Sequence, residues 1–315
     1  MSEFGYETTT DEVLEGKDLT GKTVFITGGS SGLGQETARA MAAKGAHVVL
    51  AARDQTKLDE AAEAIQADVP QANLETIVCD LASLDSVRTA GAEANERLDK
   101  IDLLINNAGV MACLKMQTAD GFEMQFGTNH LGHFALTKHL MPLVEAGADK
   151  RIVNLSSRGH HISPTDLADP NFESTDYEPW QSYGRSKTAN ILFSVGLEQR
   201  FAEKGVHAYA VHPGGIQTNL GRHLTQADMD ALMKRIKASG GEVSFKTIPQ
   251  GAATQVWAAT ADELEGQGGV YCEDCHVAEL DDESAKGGVR SYALDPEAAN
   301  QLWAMSEDMT GEVFG

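Results

Sequence analysis

No run of eighteen apolar residues occurs in the sequence, so no membrane-spanning helix is expected. The stretch from Met1 to Leu19 is polar and acidic and lacks the basic flank and apolar core of a secretory signal, so the expected location is cytoplasmic. Basic residues are scarce: 25 Lys and Arg stand against 47 Asp and Glu, a net charge of −22, with no basic cluster anywhere. That balance excludes nucleic acid and anionic membranes as partners on electrostatic grounds. Cysteine is limited to Cys79, Cys113, Cys272 and Cys275. Cys272-Glu273-Asp274-Cys275-His276 has the spelling of a haem-attachment site without the export signal haem attachment would call for. A redox or regulatory dithiol is one alternative there, and ordinary packing is the expected role. A zinc ribbon would lack its second cysteine pair, so no metal site is expected. A structural disulfide is not expected in a reducing compartment. Repeats, low-complexity linkers and breaks in composition are absent too, and no domain boundary is proposed.

What is present suits a soluble enzyme. With 315 residues and 42% hydrophobic content, the chain can bury one large core. Lys22-Thr23-Val24-Phe25-Ile26-Thr27 reads as a short buried strand, β-branched and aromatic. Gly28-Gly29-Ser30-Ser31-Gly32-Leu33-Gly34 follows, and then a helix-forming run from Gln35 to Lys44. Strand, glycine-rich turn and helix in that order is a dinucleotide-binding arrangement. Glycines let backbone approach a pyrophosphate, and the helix N-terminus offers free amides to its charge. Further strands are expected at His47–Ala51, Leu74–Cys79, Ile101–Ile105, Arg151–Leu155, Val206–Val211 and Gly269–Tyr271, alternating with helical patterns. The fold class is therefore α/β: a Rossmann-type doubly wound parallel sheet in three α/β/α layers, as a single domain. Gly28, Ala52, Asp80, Asn106, Ser157 and Pro213 all fall at carboxyl ends of strands, where such sheets bind ligands.

Tyr183-Gly184-Arg185-Ser186-Lys187 places a phenol and an ammonium four residues apart, on one face if the segment is helical. A fixed cation nearby favours the phenolate, and each pKa unit of depression takes about 1.4 kcal/mol of differential interaction. That pairing makes a tyrosine able to give or take a proton at a carbinol.

Together these residues resemble the classical branch of the short-chain dehydrogenase/reductase superfamily, from about Asp18 to about Ala278. Thr27 to Gly34 is similar to the family's nucleotide motif, with cofactor contacts implied at Gly28, Ser30, Ser31, Gly32, Leu33 and Gly34. The resemblance implies further cofactor contacts at Asp80 and Leu81, at Asn107, Ala108 and Gly109 of the Asn-Asn-Ala-Gly motif, and at Pro213, Gly214 and Thr218. It implies a catalytic tetrad of Asn129, Ser157, Tyr183 and Lys187, with Tyr183 and Lys187 also touching cofactor. Ser156 is set aside, because the family's serine is the second of such a pair. Thr128–Phe134, Ser156–His161 and Ser186–Asn190 resemble the retinol-dehydrogenase and WW-domain-oxidoreductase subgroup. Residues 220–248, apolar at Met229, Leu232, Met233 and Ile236, fall where the family keeps a substrate lid. His160-His161, just after Ser157, are expected near the substrate entrance.

Cofactor choice turns on Leu50-Ala51-Ala52-Arg53-Asp54. Ala52 occupies the place of an NAD-type aspartate, and the Arg53 guanidinium suits a 2′-phosphate, so NADP(H) is favoured over NAD(H). Asp54 reads as a helix N-cap. The resulting expectation is an oxidoreductase that interconverts a carbonyl and an alcohol by hydride transfer, with Tyr183 as general acid/base and a small-molecule substrate. Two alternatives stay open: an epimerase or dehydratase of the extended branch, and a nucleotide-binding regulatory protein without chemistry. The resemblance further implies a homodimer or homotetramer through the Phe122–Leu143 and Ser182–Phe201 helices, flanked by an N-terminal extension (1–18) and a C-terminal one (281–315).

Overall fold

The structure, a computed structural model, describes residues 4–217, 220–221, 245–284 and 286–315. Its centre is one sheet of eight strands in the order β3-β2-β1-β4-β5-β6-β7-β8. These are β1 (Thr23–Thr27), β2 (His47–Ala52), β3 (Asn73–Val78), β4 (Leu103–Asn106), β5 (Arg151–Leu155), β6 (His207–His212), β7 (Val270–Glu273) and β8 (His276–Val277). The first seven run parallel, and only β8 returns antiparallel to β7. β1 pairs β2 on one side and β4 on the other, with Ile26 opposite both Leu50 and Ile105. The strand order reverses at that point, which opens a crevice at the carboxyl ends.

Parallel strands covered on both faces read as near-continuous apolar runs, and β1 is buried at every position. Val24, Ile26, Val48 and Leu50 face one layer, formed by helices α2 (Gly32–Ala43) and α3 (Gln55–Asp68) with the later α8 (Ile248–Thr260). Phe25, Val49 and Leu104 face the other, formed by α4 (Leu84–Arg97), α6 (Gly132–Ala146) and α7 (Pro179–Phe201). A short turn, α5 (Met124–Phe126), and a π-helical turn at Gly127–Leu131 lead into α6. Full burial of a side chain such as Phe25 contributes roughly 1.5–3 kcal/mol. Asp54 caps α3 by accepting the Lys57 N–H at 3.2 Å, the role expected of it.

Strand β8 is an addition to the expected set. Asp274 and Cys275 form the two-residue turn before it, both with positive φ (47° and 59°). A type I′ hairpin turn needs that backbone at both central positions, and a cysteine there gives no sequence signal. The N-terminal extension is also part of the core. Thr10–Val13 forms α1, Val13 and Leu14 are buried, and Thr10 and Asp11 bond to Glu36 and Arg39 of α2. The C-terminal segment ends in α9 (Pro296–Thr310), which lies along α7. Trp303 and Phe314 pack edge-on against Phe134 of α6, so part of the face on which the resemblance puts a subunit contact is covered from within the chain. No helix among the described residues is long and apolar enough to cross a membrane.

Candidate active site

At the end of β1 the turn at Gly28 takes a left-handed φ of 67°, and a Cβ there would lie 2.8 Å from Asn107 Nδ2. A Cβ on Gly34 would press on the Gly28 carbonyl and lie 2.6 Å from the same amide. Only glycines let α2 descend this far onto the turn. The helix begins at Gly32, and Ser31 before it gives no side-chain cap, so the first-turn amides are left to a ligand. Ser30 and Leu33 flank them, half-buried. Thr27 ties this turn to the one after β4: its Oγ1 accepts the Asn107 and Ala108 N–H groups at 2.9 and 3.1 Å. The Asn107 side chain donates to the Thr27 carbonyl at 2.8 Å. A glycine cradle with uncapped amides fits a dinucleotide pyrophosphate.

Other expected cofactor residues ring this crevice. Arg53 is exposed at the end of β2. Asp80 holds its own turn by accepting the Ala82 N–H at 3.0 Å, and the Leu81 carbonyl lies against the start of α6 at Gly132. Gly109 meets the catalytic side, where a Cβ would lie 3.1 Å from Asn129 Oδ1 and 3.7 Å from Lys187 Nζ. Pro213 and Gly214 follow β6, half-buried, with Gly214 at φ 95°. Thr218 lies outside the described residues, and so does all of the expected lid except Leu220, Gly221 and 245–248. Of those, Ile248 is already the first residue of α8.

The four expected catalytic residues converge from three elements. Asn129 sits in the π-helical turn, wholly buried, and clamps the Val110 backbone: Oδ1 accepts its N–H at 2.8 Å and Nδ2 donates to its carbonyl at 3.0 Å. Ser157 lies two residues beyond β5, capping the 3-10 turn Arg158–Ile162, and its Oγ accepts the Gly159 N–H at 3.0 Å. Ser156 instead donates to the Lys187 carbonyl at 2.8 Å, a backbone role. Tyr183 and Lys187 lie one turn apart on α7, both about 4% exposed. Gly159 permits this packing, since a Cβ there would lie 2.8 Å from Tyr183 Cε1 and 3.4 Å from Ser157 Oγ.

Burial governs the protonation states. It pushes the Tyr183 phenol up to about 12, and a hydrogen bond with Ser157 pulls the other way. It lowers the Lys187 ammonium to about 7. Lys187 Nζ donates to the Leu155 carbonyl at 2.9 Å and stands 5.6 Å from the Tyr183 ring centre. The expectation that Lys187 depresses the tyrosine is not met in this arrangement. Desolvation dominates, and Ser157 is the group acting against it.

Several supporting groups had no local sequence signal. His133 is buried, with Nδ1 2.9 Å from the Asn129 carbonyl and Nε2 2.8 Å from Thr27 Oγ1. A carbonyl only accepts, so Nδ1 carries the proton and Nε2 accepts from the threonine hydroxyl. Lys246 is buried beside Gly214 and paired with Asp274 at 2.6 Å. His212 accepts the Arg158 N–H at 3.2 Å. His160 does not line a surface as expected: it is fully buried, while His161 is half-buried and bonded to the Gly288 carbonyl. Cys272 and Cys275 are buried free thiols, raised in pKa by desolvation, with Cys275 at about 12.

A doubly wound sheet with a glycine cradle at its switch point defines a nucleotide-binding architecture. The comparisons agree. The family model described as short chain dehydrogenase matches residues 22–229. A probable oxidoreductase of Streptomyces lividans is 40% identical over 298 residues, covering 92% of this chain and 98% of its own length. Retinol dehydrogenase 14 of Homo sapiens is 40% identical over 304 residues, covering 92% and 87%. Among solved structures, an uncharacterized protein from Mycobacterium paratuberculosis superimposes with a TM-score of 0.74 at 34% identity, over 96% of this chain and 98% of that one. The chain belongs to the short-chain dehydrogenase/reductase family, in its retinol-dehydrogenase-like subgroup, and is an NAD(P)-dependent oxidoreductase.

Proposed function

We propose that the enzyme interconverts a ketone or aldehyde and the corresponding alcohol, with Tyr183 as general acid/base and NADP(H) preferred over NAD(H). The observation that carries this reading is the buried Tyr183 phenol, hydrogen-bonded with Ser157 and one helical turn from Lys187, whose Nζ lies by Gly109. The first-turn amides of α2 would hold the pyrophosphate, and Asp80 and the Asn107–Gly109 turn would flank the adenosine and nicotinamide halves. When bound, the nicotinamide supplies or accepts the hydride.

The residues of this chain handle the proton. A phenol held at about 12 keeps its proton at neutral pH and can donate it to a substrate oxygen as negative charge develops there. Ser157 accepts the Gly159 N–H, which leaves its own hydroxyl proton for Tyr183 or for the substrate oxygen. Lys187, at about 7, can exchange a proton near neutrality, and the rigid Asn129 clamp borders it across Gly109. Exposed Arg53 supports the NADP preference, because a free guanidinium matches a phosphate bidentately. One of the solved relatives, from Pseudomonas aeruginosa, is described as an NADP active-site complex; it is 26% identical with a TM-score of 0.62.

The test is oxidation of NADPH, with NADH in parallel, against aldehydes, ketones, quinones and retinaldehyde, using wild type and Tyr183→Phe. Turnover by wild type, its loss in the variant and an unchanged nucleotide Kd are expected. Turnover retained by Tyr183→Phe would overturn the assignment. Tight nucleotide binding with no turnover by wild type would favour a regulatory protein.

A further inference from the structure

Resting on that reading, we propose that His160 is a positioning residue for the catalytic serine, and that residues 288–292 of the C-terminal segment set it in place. His160 Nδ1 lies 2.8 Å from the backbone carbonyl of Ser157, three residues back. Its Nε2 accepts the backbone N–H of Arg290 at 3.2 Å, from 130 residues away. The carbonyl can only accept and the amide can only donate, so one tautomer satisfies both: protonated at Nδ1, bare at Nε2. A second proton would set N–H against N–H, and burial independently disfavours the cation.

The same segment grips the turn at two more points and is itself anchored to β7. Tyr292 Oη donates to the His160 carbonyl at 2.5 Å. His161 Nε2 bonds to the Gly288 carbonyl at 3.0 Å. Gly288 N–H in turn donates to Glu273 of β7 at 2.7 Å. The imidazole itself is wedged edge-on against the Tyr271 ring, 4.8 Å between centres.

Ser157 is the N-cap of the 3-10 turn Arg158–Ile162, and Gly159 presses its Cα face on the Tyr183 ring. The hydroxyl position relative to the phenol therefore depends on how the turn is held. His160 holds it at its peptide carbonyl, and the C-terminal segment holds His160. Beyond Tyr292 the same segment continues into α9, which lies along α7, the helix that carries Tyr183 and Lys187. Both catalytic elements are thus braced by one stretch of chain that lies outside the match to the family model.

Two measurements test this. Long-range 1H–15N correlation of the resting protein reads the imidazole directly, with the signal assigned by its loss in His160→Asn. A neutral Nδ1–H ring from pH 7 to 5 is expected; the other tautomer, or a ring protonated at pH 6, would overturn the proposal whatever the enzyme turns over. The second is a comparison of His160→Leu with His160→Asn, whose amide keeps a donor near the Ser157 carbonyl. His160→Leu should lose tenfold or more in kcat with the NADPH Kd unchanged, since small misplacements of a catalytic group are costly. His160→Asn should recover most of it. Full activity in His160→Leu, or equal losses in both variants with a parallel fall in nucleotide affinity, would overturn it. Absence of turnover in wild type would count against the oxidoreductase reading alone and leave the imidazole result standing.

Discussion

Lys187 Nζ donates to the Leu155 carbonyl at 2.9 Å, and the same carbonyl also receives Asn190 Nδ2 at 2.8 Å. Lys187 is thus held against the end of β5 by a bond its acceptor does not need. Replacing it should leave no orphaned partner, while removing the cost of a buried ammonium.

Lys187→Met is accordingly expected to abolish turnover and raise stability by roughly 1–3 kcal/mol at pH 7. The sign follows from linkage. The folded lysine titrates at about 7, against 10.5 when unfolded, so its penalty is full below pH 7 and fades as pH rises toward 10.5. Urea unfolding of both proteins at pH 7 and pH 9.5 checks this. A variant less stable than wild type, or a gap that widens with pH, contradicts it.

Arg53 makes no hydrogen bond or ion pair with the described residues and stands exposed at the end of β2. Arg53→Ala should weaken NADPH binding by about tenfold or more and leave NADH binding nearly unchanged, since a charge-assisted bond contributes roughly 1.5–3 kcal/mol. Fluorescence titration with both nucleotides decides it. Equal effects on the two would remove Arg53 from the 2′-phosphate site.

Gly34→Ala places a methyl group against the Gly28 carbonyl and Asn107 Nδ2. Thr27 pins Asn107, whose amide also reaches the Gly28 carbonyl at 3.5 Å, so the site cannot relax cheaply. A stability loss of about 1–3 kcal/mol is expected, with nucleotide affinity falling as the cradle opens. Thermal unfolding with and without NADPH measures both. Wild-type affinity in the variant would mean that the turn is not the cradle.

His130, His133 and His160 are buried and held neutral, at about 3, 4 and 3. In the unfolded chain each takes a proton near 6.5, so as pH falls from 6.5 toward 4 the unfolded state binds more protons and stability drops. At pH 5 this costs on the order of 2 kcal/mol per histidine. His130 is ringed by Phe126, Phe134 and Phe193, and His130→Phe should therefore fold and show a shallower fall in Tm between pH 6.5 and 5. An identical slope in the two proteins would show that His130 is not a buried neutral group.

Where the physics is local, the sequence was easy to read. Seven parallel strands announce themselves as short apolar runs bounded by turns, and Asp54 as an N-cap three residues ahead of Lys57. The contacts of Ser156 and Ser157 differ, one bonded to backbone and the other to Tyr183. Non-local features were not legible. β8 depends on a left-handed cysteine, and the burial of Val13 and Leu14 depends on where α2 and α8 lie. His160 looked like part of an entrance because nothing in Ser156–His161 shows that Arg290 comes back to meet it.

By itself the sequence determined the order of strand, glycine turn and helix, and the stacking of Tyr183 over Lys187. Both rest on spacings of a few residues, which backbone geometry converts directly into position. Tertiary structure alone decided the protonation states. Burial of Tyr183, Lys187, His133 and His160 is the work of elements up to 130 residues away, and desolvation is the largest cause of the shift in each. A charge feels everything that excludes water around it, and only the finished fold defines that surrounding.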